Sequence, residues 1–158
     1  MITILREHPV QENLALLHKR HFDAMHADTP PGSIHMLPPD ALAAPQIRFF
    51  VMREEGRAIG MGAWNRHGPD LAELKSMHVL YEERGRGLAR MMLRHLLADV
   101  AEAGIREVRL ETGAQASFQV ARSLYETEGF TRCAPFADYT LDPMSVYMAL
   151  SLPVAVKT

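Results

Sequence analysis

Near the middle of the chain the hydrophobic period changes abruptly, and that change constrains the fold more than any other feature. Leu71 to Leu80, LAELKSMHVL, alternates as a strand does. Glu82-Glu83-Arg84-Gly85-Arg86-Gly87-Leu88-Ala89 follows, with glycines that allow a tight turn and close approach of the backbone to a ligand. Leu88, Met92, Leu96 and Val100 then recur at every fourth position, with Met91, Leu93 and Leu97 widening the stripe. Gly104 reads as the C-cap. A strand that runs into an amphipathic helix needs a sheet for that helix to cover, so the chain reads as α/β.

The flanks agree. Ile2 to Arg6 is a short strand, and Leu14, Leu17, His21 and Met25 mark a helix over Val10 to Ala27. Ile47 to Arg53 and Ala58 to Trp64, joined by Glu55-Gly56, form a hairpin. After the central helix come a strand at Glu107 to Glu111, a helix at Phe118 to Glu128 ended by Gly129, and strands at Thr131 to Cys133 and Val146 to Leu152. Asp28 to Gln46 holds half of the ten prolines. It reads as a long loop with one helical turn at Pro39 to Ala44, either a functional strap or a wrapped connector.

The free N–H groups of a helix's first turn, with the helix dipole, favour phosphate oxygens. Arg84 and Arg86 add positive charge beside the turn that feeds the long helix, so Glu82 to Ala89 would suit a pyrophosphate. It would serve equally as a plain strand-to-helix connection. The P-loop pattern is absent, and the dinucleotide-binding glycine pattern fails because Arg90 stands at its third position.

Arg84-x-x-Gly87-x-Ala89 resembles the [QR]-x-x-G-x-[GA] motif of GCN5-related N-acetyltransferases, the GNAT superfamily. Ala121-Arg122-Ser123-Leu124-Tyr125-Glu126-x-x-Gly129-Phe130 resembles that superfamily's A-x-x-L-Y-x-x-x-G-F helix. The strings ELKSMHV, RLETG and C-x-P-F-x-D-Y-x-x-D-P-x-S-V-x-M are similar to a bacterial subgroup labelled indole-3-acetic acid acetyltransferases. The resemblance implies a GNAT fold with a mixed central sheet of about six to seven strands flanked by helices, one domain over residues 1–158.

It also implies acetyl-CoA as co-substrate and the amine of a small molecule or peptide as acceptor, attacked directly. The turn Arg84, Gly85, Arg86, Gly87, Leu88 and Ala89 would hold the pyrophosphate, Met77, His78 and Val79 the pantetheine arm, and Ser123 a further cofactor contact. Glu73 is the expected base, on one strand face with Lys75 and Met77, and alternatively an ion-pair partner of Lys75. Tyr125 is the expected acid, returning a proton to the CoA thiolate. Many members carry Asn where this chain has Phe118, so Gln115, Ser117 or Ser123 is the expected replacement. Ser33 and His35 of the proline-rich loop and Phe136 and Tyr139 of the Phe136–Ser145 loop are the expected substrate contacts. The alternative is an acyl-CoA-binding sensor of the same fold.

Composition narrows the partners. A net charge of -2 gives no bulk pull toward nucleic acid or anionic membrane. No apolar run approaches the ~20 residues of a membrane span, and the N-terminus lacks a secretory layout, so a cytoplasmic protein is expected. One cysteine, Cys133, excludes an internal disulfide, and direct attack needs no thiol nucleophile. The histidines His18, His21 and His26 lack a cysteine or acidic partner at ligand spacing, and no metal is expected. Trp64 and the Met91-Met92 pair read as core. A homodimer is a family-level expectation.

Overall fold

The computed structural model describes residues 1–153. Its strands are β1 (Ile2–Arg6), β2 (Ile47–Glu54), β3 (Arg57–His67), β4 (Leu71–Val79), β5 (Glu107–Gly113), β6 (Thr131–Arg132) and β7 (Ser145–Ser151). Its helices are α1 (Ala15–His26), α2 (Leu88–Glu102) and α3 (Gln119–Thr127). The strands form one seven-stranded sheet in the order β1-β2-β3-β4-β5-β7-β6. Every neighbouring pair is antiparallel except β4 and β5, which run parallel with α2 as their crossover. This is the mixed sheet with flanking helices that the sequence implies.

The helix ends differ from the periodic reading. Residues Val10 and Gln11 are not helical, and a 3-10 turn at Glu12–Leu14 leads into α1. Ala116–Phe118 forms a similar turn before α3. Such turns commonly tighten a helix's first residues without changing its buried face. The proline-rich segment holds two 3-10 turns, Pro31–Ser33 and Ala41–Ala43.

The core lies on both faces of the sheet. On one face Leu88, Met92, Leu93, Leu96 and Val100 of α2 pack over Trp64, Leu74, Val108 and Met148, with Leu124 and Tyr125 of α3 beside them. On the other, Leu14, Leu17 and Leu42 cover Phe49, Val51, Met61 and Ala63. Trp64 is a core residue, and its Nε1 donates to Asp99 Oδ2 at 2.8 Å. Met92 is buried, but Met91 is 42% exposed, so only half of that pair belongs to the core. Adjacent helical positions are about 100° apart, and the α2 stripe reaches only one of them. Among the described residues no helix is long and apolar enough to cross a membrane.

Leu93 is fully enclosed between α2 and the sheet. Leu93→Ala is expected to lower unfolding stability by about 2–5 kcal/mol, measured by urea denaturation, through the lost transfer energy and the cavity left behind.

Candidate active site

β4 and β5 stay together only at Leu71↔Glu107, Ala72↔Val108 and Glu73↔Arg109. Beyond Glu73 the β5-side main chain of β4 has no strand partner. The gap opens into a cavity walled by β4, β5, α1, the proline-rich loop and Tyr125 of α3.

A β-bulge shapes the β4 side. Pairing with β3 shifts between Met61↔His78 and Ala63↔Lys75, so Ser76 and Met77 together oppose Gly62. Ser76 takes φ +56°, in the left-handed region that a non-glycine residue rarely occupies. One extra residue reverses the alternation that follows it. Glu73 and Lys75 therefore face α1 and the proline-rich loop, whereas Met77 turns to the α2 face and packs with Val79. The expectation that Met77 shares a face with Glu73 fails for this reason. Tyr125 Oη lies 3.9 Å from Met77 Sδ.

Glu73 is enclosed, its side chain 3% exposed. His67 Nε2 lies 2.8 Å from Oε1, while the Tyr139 hydroxyl donates to Oε2 at 2.5 Å and Lys75 Nζ stands 3.2 Å away. Lys75 also donates to Tyr139 Oη at 2.9 Å and to the His35 carbonyl at 3.1 Å. Both alternatives for Glu73 thus meet in one place: it lines the cavity and it is the ion-pair partner of Lys75. Burial first, and then the Glu73 carboxylate, hold the Tyr139 phenol well above its ordinary value.

A second carboxylate, Glu111 of β5, lines the same cavity. It accepts one bond, from Ser145 Oγ at 2.8 Å, and among the described residues no cation pairs with it. Burial is the main cause that raises its pKa, opposed by the Ser145 bond and by the nearby charges of His35 and Lys75, while Glu73 adds to the rise. The motif reading passed over Glu111. In EVRLETG the residues Glu107, Arg109 and Glu111 alternate at equal spacing, and only the structure shows that Arg109 turns to Glu107 and leaves Glu111 without it.

Tyr125 reaches the cavity from α3. Burial, and next the Glu111 carboxylate, push its phenol up to about 12, so it holds its proton at neutral pH. His21 and His78 pack edge to face with ring centroids 5.4 Å apart. Burial drives His21 down to about 3 and His78 to about 4, so both are neutral at pH 7.

The turn before α2 has the geometry for an anion. Gly85 and Gly87 sit at φ +83° and +76°, which other residues adopt at a cost. The first helical N–H groups have no carbonyl partner within α2. The side chains behave otherwise than expected. Arg86 is held by Glu54 at 2.6 Å and Glu83 at 2.5 Å, and Arg84 lies over the Tyr81 ring at 5.6 Å. The charge of Arg86 is therefore matched within the chain, while Arg84 has no carboxylate partner among the described residues and stands beside the main-chain N–H groups.

The remaining expected contacts divide. Ser33 and His35 line the cavity. Tyr139 is not part of the wall itself and bears on it only through its hydroxyl bond to Glu73. Phe136 is buried behind, stacked near Tyr139 and Tyr147 at 5.1 and 6.2 Å, and is not part of the wall. Ser123 is exposed on α3 and accepts from Gln119 Nε2. His78 turns to His21, and Val79 enters the core, so their main chain rather than their side chains borders the open edge. Phe118 joins the cavity wall. It presses on Gly113, where a Cβ would come within 2.3 Å of its ring. Gln115 instead ties down the proline-rich loop, donating to the Asp28 carbonyl and to Thr29 Oγ1. Arg122, also unanticipated, is buried and donates to the Gly113 and Gln115 carbonyls, fixing the β5–α3 connection.

Comparison with known proteins gives consistent matches. The model of the Acetyltransferase (GNAT) family matches residues 12–130. The uncharacterized N-acetyltransferase YsnE of Bacillus subtilis (strain 168) is 39% identical over 132 residues, covering 84% of this chain and 87% of YsnE. An IAA acetyltransferase of Azospirillum brasilense is 35% identical over 150 residues, 93% of this chain and 95% of that protein. A crystal structure described as an acyl-CoA N-acyltransferase from Klebsiella pneumoniae superposes with a TM-score of 0.78 at 27% identity, covering 96% of this chain and 98% of that one.

Tyr139→Phe removes the hydroxyl that Glu73 accepts from and Lys75 donates to. Leaving a buried carboxylate short of a donor is expected to cost about 1–3 kcal/mol of unfolding stability, measured by urea denaturation at pH 7.

Proposed function

This chain belongs to the GNAT acetyltransferase family, and from that premise we propose that it transfers the acetyl group of acetyl-CoA to the amine of a small molecule or peptide end. The observation that carries the reading is the parting of β4 from β5 after Glu73, which brings Tyr125 of one sheet face and the carboxylates of the other to one cavity. In this reading the main-chain N–H groups of Arg84 to Ala89 hold the pyrophosphate, as helix N-termini do for anions. The unpaired main chain of Met77 to Val79 receives the pantetheine arm, and its N–H groups polarise the thioester carbonyl.

The amine nitrogen attacks the thioester carbon, the C–S bond breaks, and Tyr125 gives its proton to the departing sulfur. The cavity's carboxylates receive the proton that the amine must lose. Proton transfer by a placed side chain is worth about 10²–10⁴ in rate. Among those carboxylates, Glu73 is engaged by Lys75, Tyr139 and His67, and it keeps these groups in place around the acceptor.

Thiol release from acetyl-CoA, measured against a panel of primary amines, tests the reading. Tyr125→Phe is expected to lower kcat by about 10²–10⁴ with CoA affinity unchanged. Gly87→Val, which forces a branched residue to φ +76°, is expected to weaken CoA binding measured by calorimetry. CoA binding without turnover on any amine would instead indicate a binding module.

A further inference from the structure

We propose that Glu111 is the carboxylate that receives the acceptor's ammonium group and takes its proton, and that the acceptor is a primary amine whose neighbouring substituents are uncharged. The proposal rests on the acetyl-transfer reading above and deepens it. Glu73 has Lys75 as its counter-ion, and Lys75 also donates to Tyr139 and to the His35 carbonyl. Glu111 has only the Ser145 hydroxyl. A half-buried carboxylate without a cation is costly unless something else supplies one. The acceptor arrives as an ammonium ion at neutral pH, and it is the missing partner.

The second observation is independent of charge. His21 is 6% exposed and lines this cavity, yet its Nδ1 has no hydrogen-bond partner, and His35 Nε2 is also unpartnered. Buried polar atoms are nearly always paired, so these two, on residues of the cavity wall, are open to polar groups of a bound molecule. They meet it as neutral imidazole in the case of His21. Met25, Ile34, Met36 and Phe118 supply apolar wall around them. An acceptor carrying a carboxylate beside its amine would set that charge against Glu111 and Glu73, where the charge of Lys75 is already matched by Glu73. A free amino acid is therefore disfavoured, and an amino-acid amide, a peptide end or a simple amine fits.

The protons balance. The ammonium gives one proton to Glu111, and the freed lone pair attacks the thioester carbon. The second departing N–H proton restores the one that Tyr125 gives to the CoA sulfur. Glu111 then releases its proton to solvent, leaving amide, CoA thiol and one proton. The groups facing Glu111 are Glu73 and Lys75 of β4, His35 of the proline-rich loop, Tyr125 of α3 and Tyr147 of β7. Of these, Tyr125 gains from the step. Its phenol is held up partly by the Glu111 charge, so protonating Glu111 makes Tyr125 a readier acid just when the thiolate forms.

The test uses Glu111→Gln, with acetyl-CoA, a series of amino-acid amides and the matching free amino acids. We expect kcat/KM of the wild type to favour amides over free acids at least tenfold, and Glu111→Gln to lose at least 100-fold on amides while Glu111→Asp recovers part of it. A merely structural glutamate would destabilise the fold when replaced. Here Glu111→Gln should raise Tm at pH 8. A carboxyl whose pKa is raised by folding costs stability once ionised, and the gain should vanish below about pH 4, where both forms are neutral. Saturation with phenethylamine should raise Tm of the wild type and leave that of Glu111→Gln unmoved, a reading that needs no turnover. Wild-type kcat/KM in Glu111→Gln, an amine-induced Tm shift that survives the substitution, or a preference for free amino acids would each overturn the proposal. Absence of acetylation with any amine, beside a Glu111-dependent Tm shift, would fall on the transfer reading and leave the ammonium site standing.

Discussion

The structure turns on main-chain groups that a sheet ordinarily pairs and this one does not. In the interior of a sheet, unpaired N–H and C=O groups are expensive. β4 lies between β3 and β5, yet beyond Glu73 it keeps only its β3 neighbour. The bulge at Ser76 is a further departure at the same place, and it holds a strained φ. Such defects persist where the surroundings impose them. Here the surroundings are the buried Arg122, which clamps the carbonyls of Gly113 and Gln115, and the Phe118 ring, which leaves no room for a Cβ at Gly113. The end of β5 is thus fixed away from β4, and the opening is built in.

That opening explains how residues from opposite faces can cooperate. A continuous sheet would keep Tyr125, packed with the α2 core, apart from Glu73 and Glu111, which face α1 and the proline-rich loop. Through the gap they share one cavity. The proline-rich loop closes its far side, tied by Lys75 at the His35 carbonyl and by Gln115 at Asp28 and Thr29. Two carboxylates in this space have different surroundings, one saturated by donors and one not.

The architecture was legible because its signals are local. The period of four in α2, the glycines before it and the alternation in LAELKSMHVL each depend on a few adjacent residues. The placement of Tyr125 and Glu73 on the cavity was legible only through motif resemblance. What escaped depends on contacts between segments. No residue in KSMHV signals a bulge, since the register shift is set against β3, and with it went the face of Met77. Phe136 reads as a loop aromatic, but the rings of Tyr139 and Tyr147 draw it inward. Glu111 looked like one charged residue of an alternating strand. Its distinction is the lack of a partner, and that is a property of the neighbours rather than of the residue.

The same reasoning changes how the arginines before α2 are understood. A near-neutral chain with a cationic turn suggests side-chain recognition of a polyanion. Yet Arg86 is matched by Glu54 and Glu83, Glu83 is also paired with Arg57, and Glu82 is held by Arg20 of α1. These exposed pairs contribute little stability one by one. Their effect is geometric: they fasten the turn to β2, β3 and α1 with its glycines in the left-handed region. The main-chain N–H groups and the helix dipole of such a turn, unlike its side chains, cannot rotate away. Arg86 thus serves the frame of this turn, while Arg84, lying over the Tyr81 ring, has no carboxylate partner among the described residues.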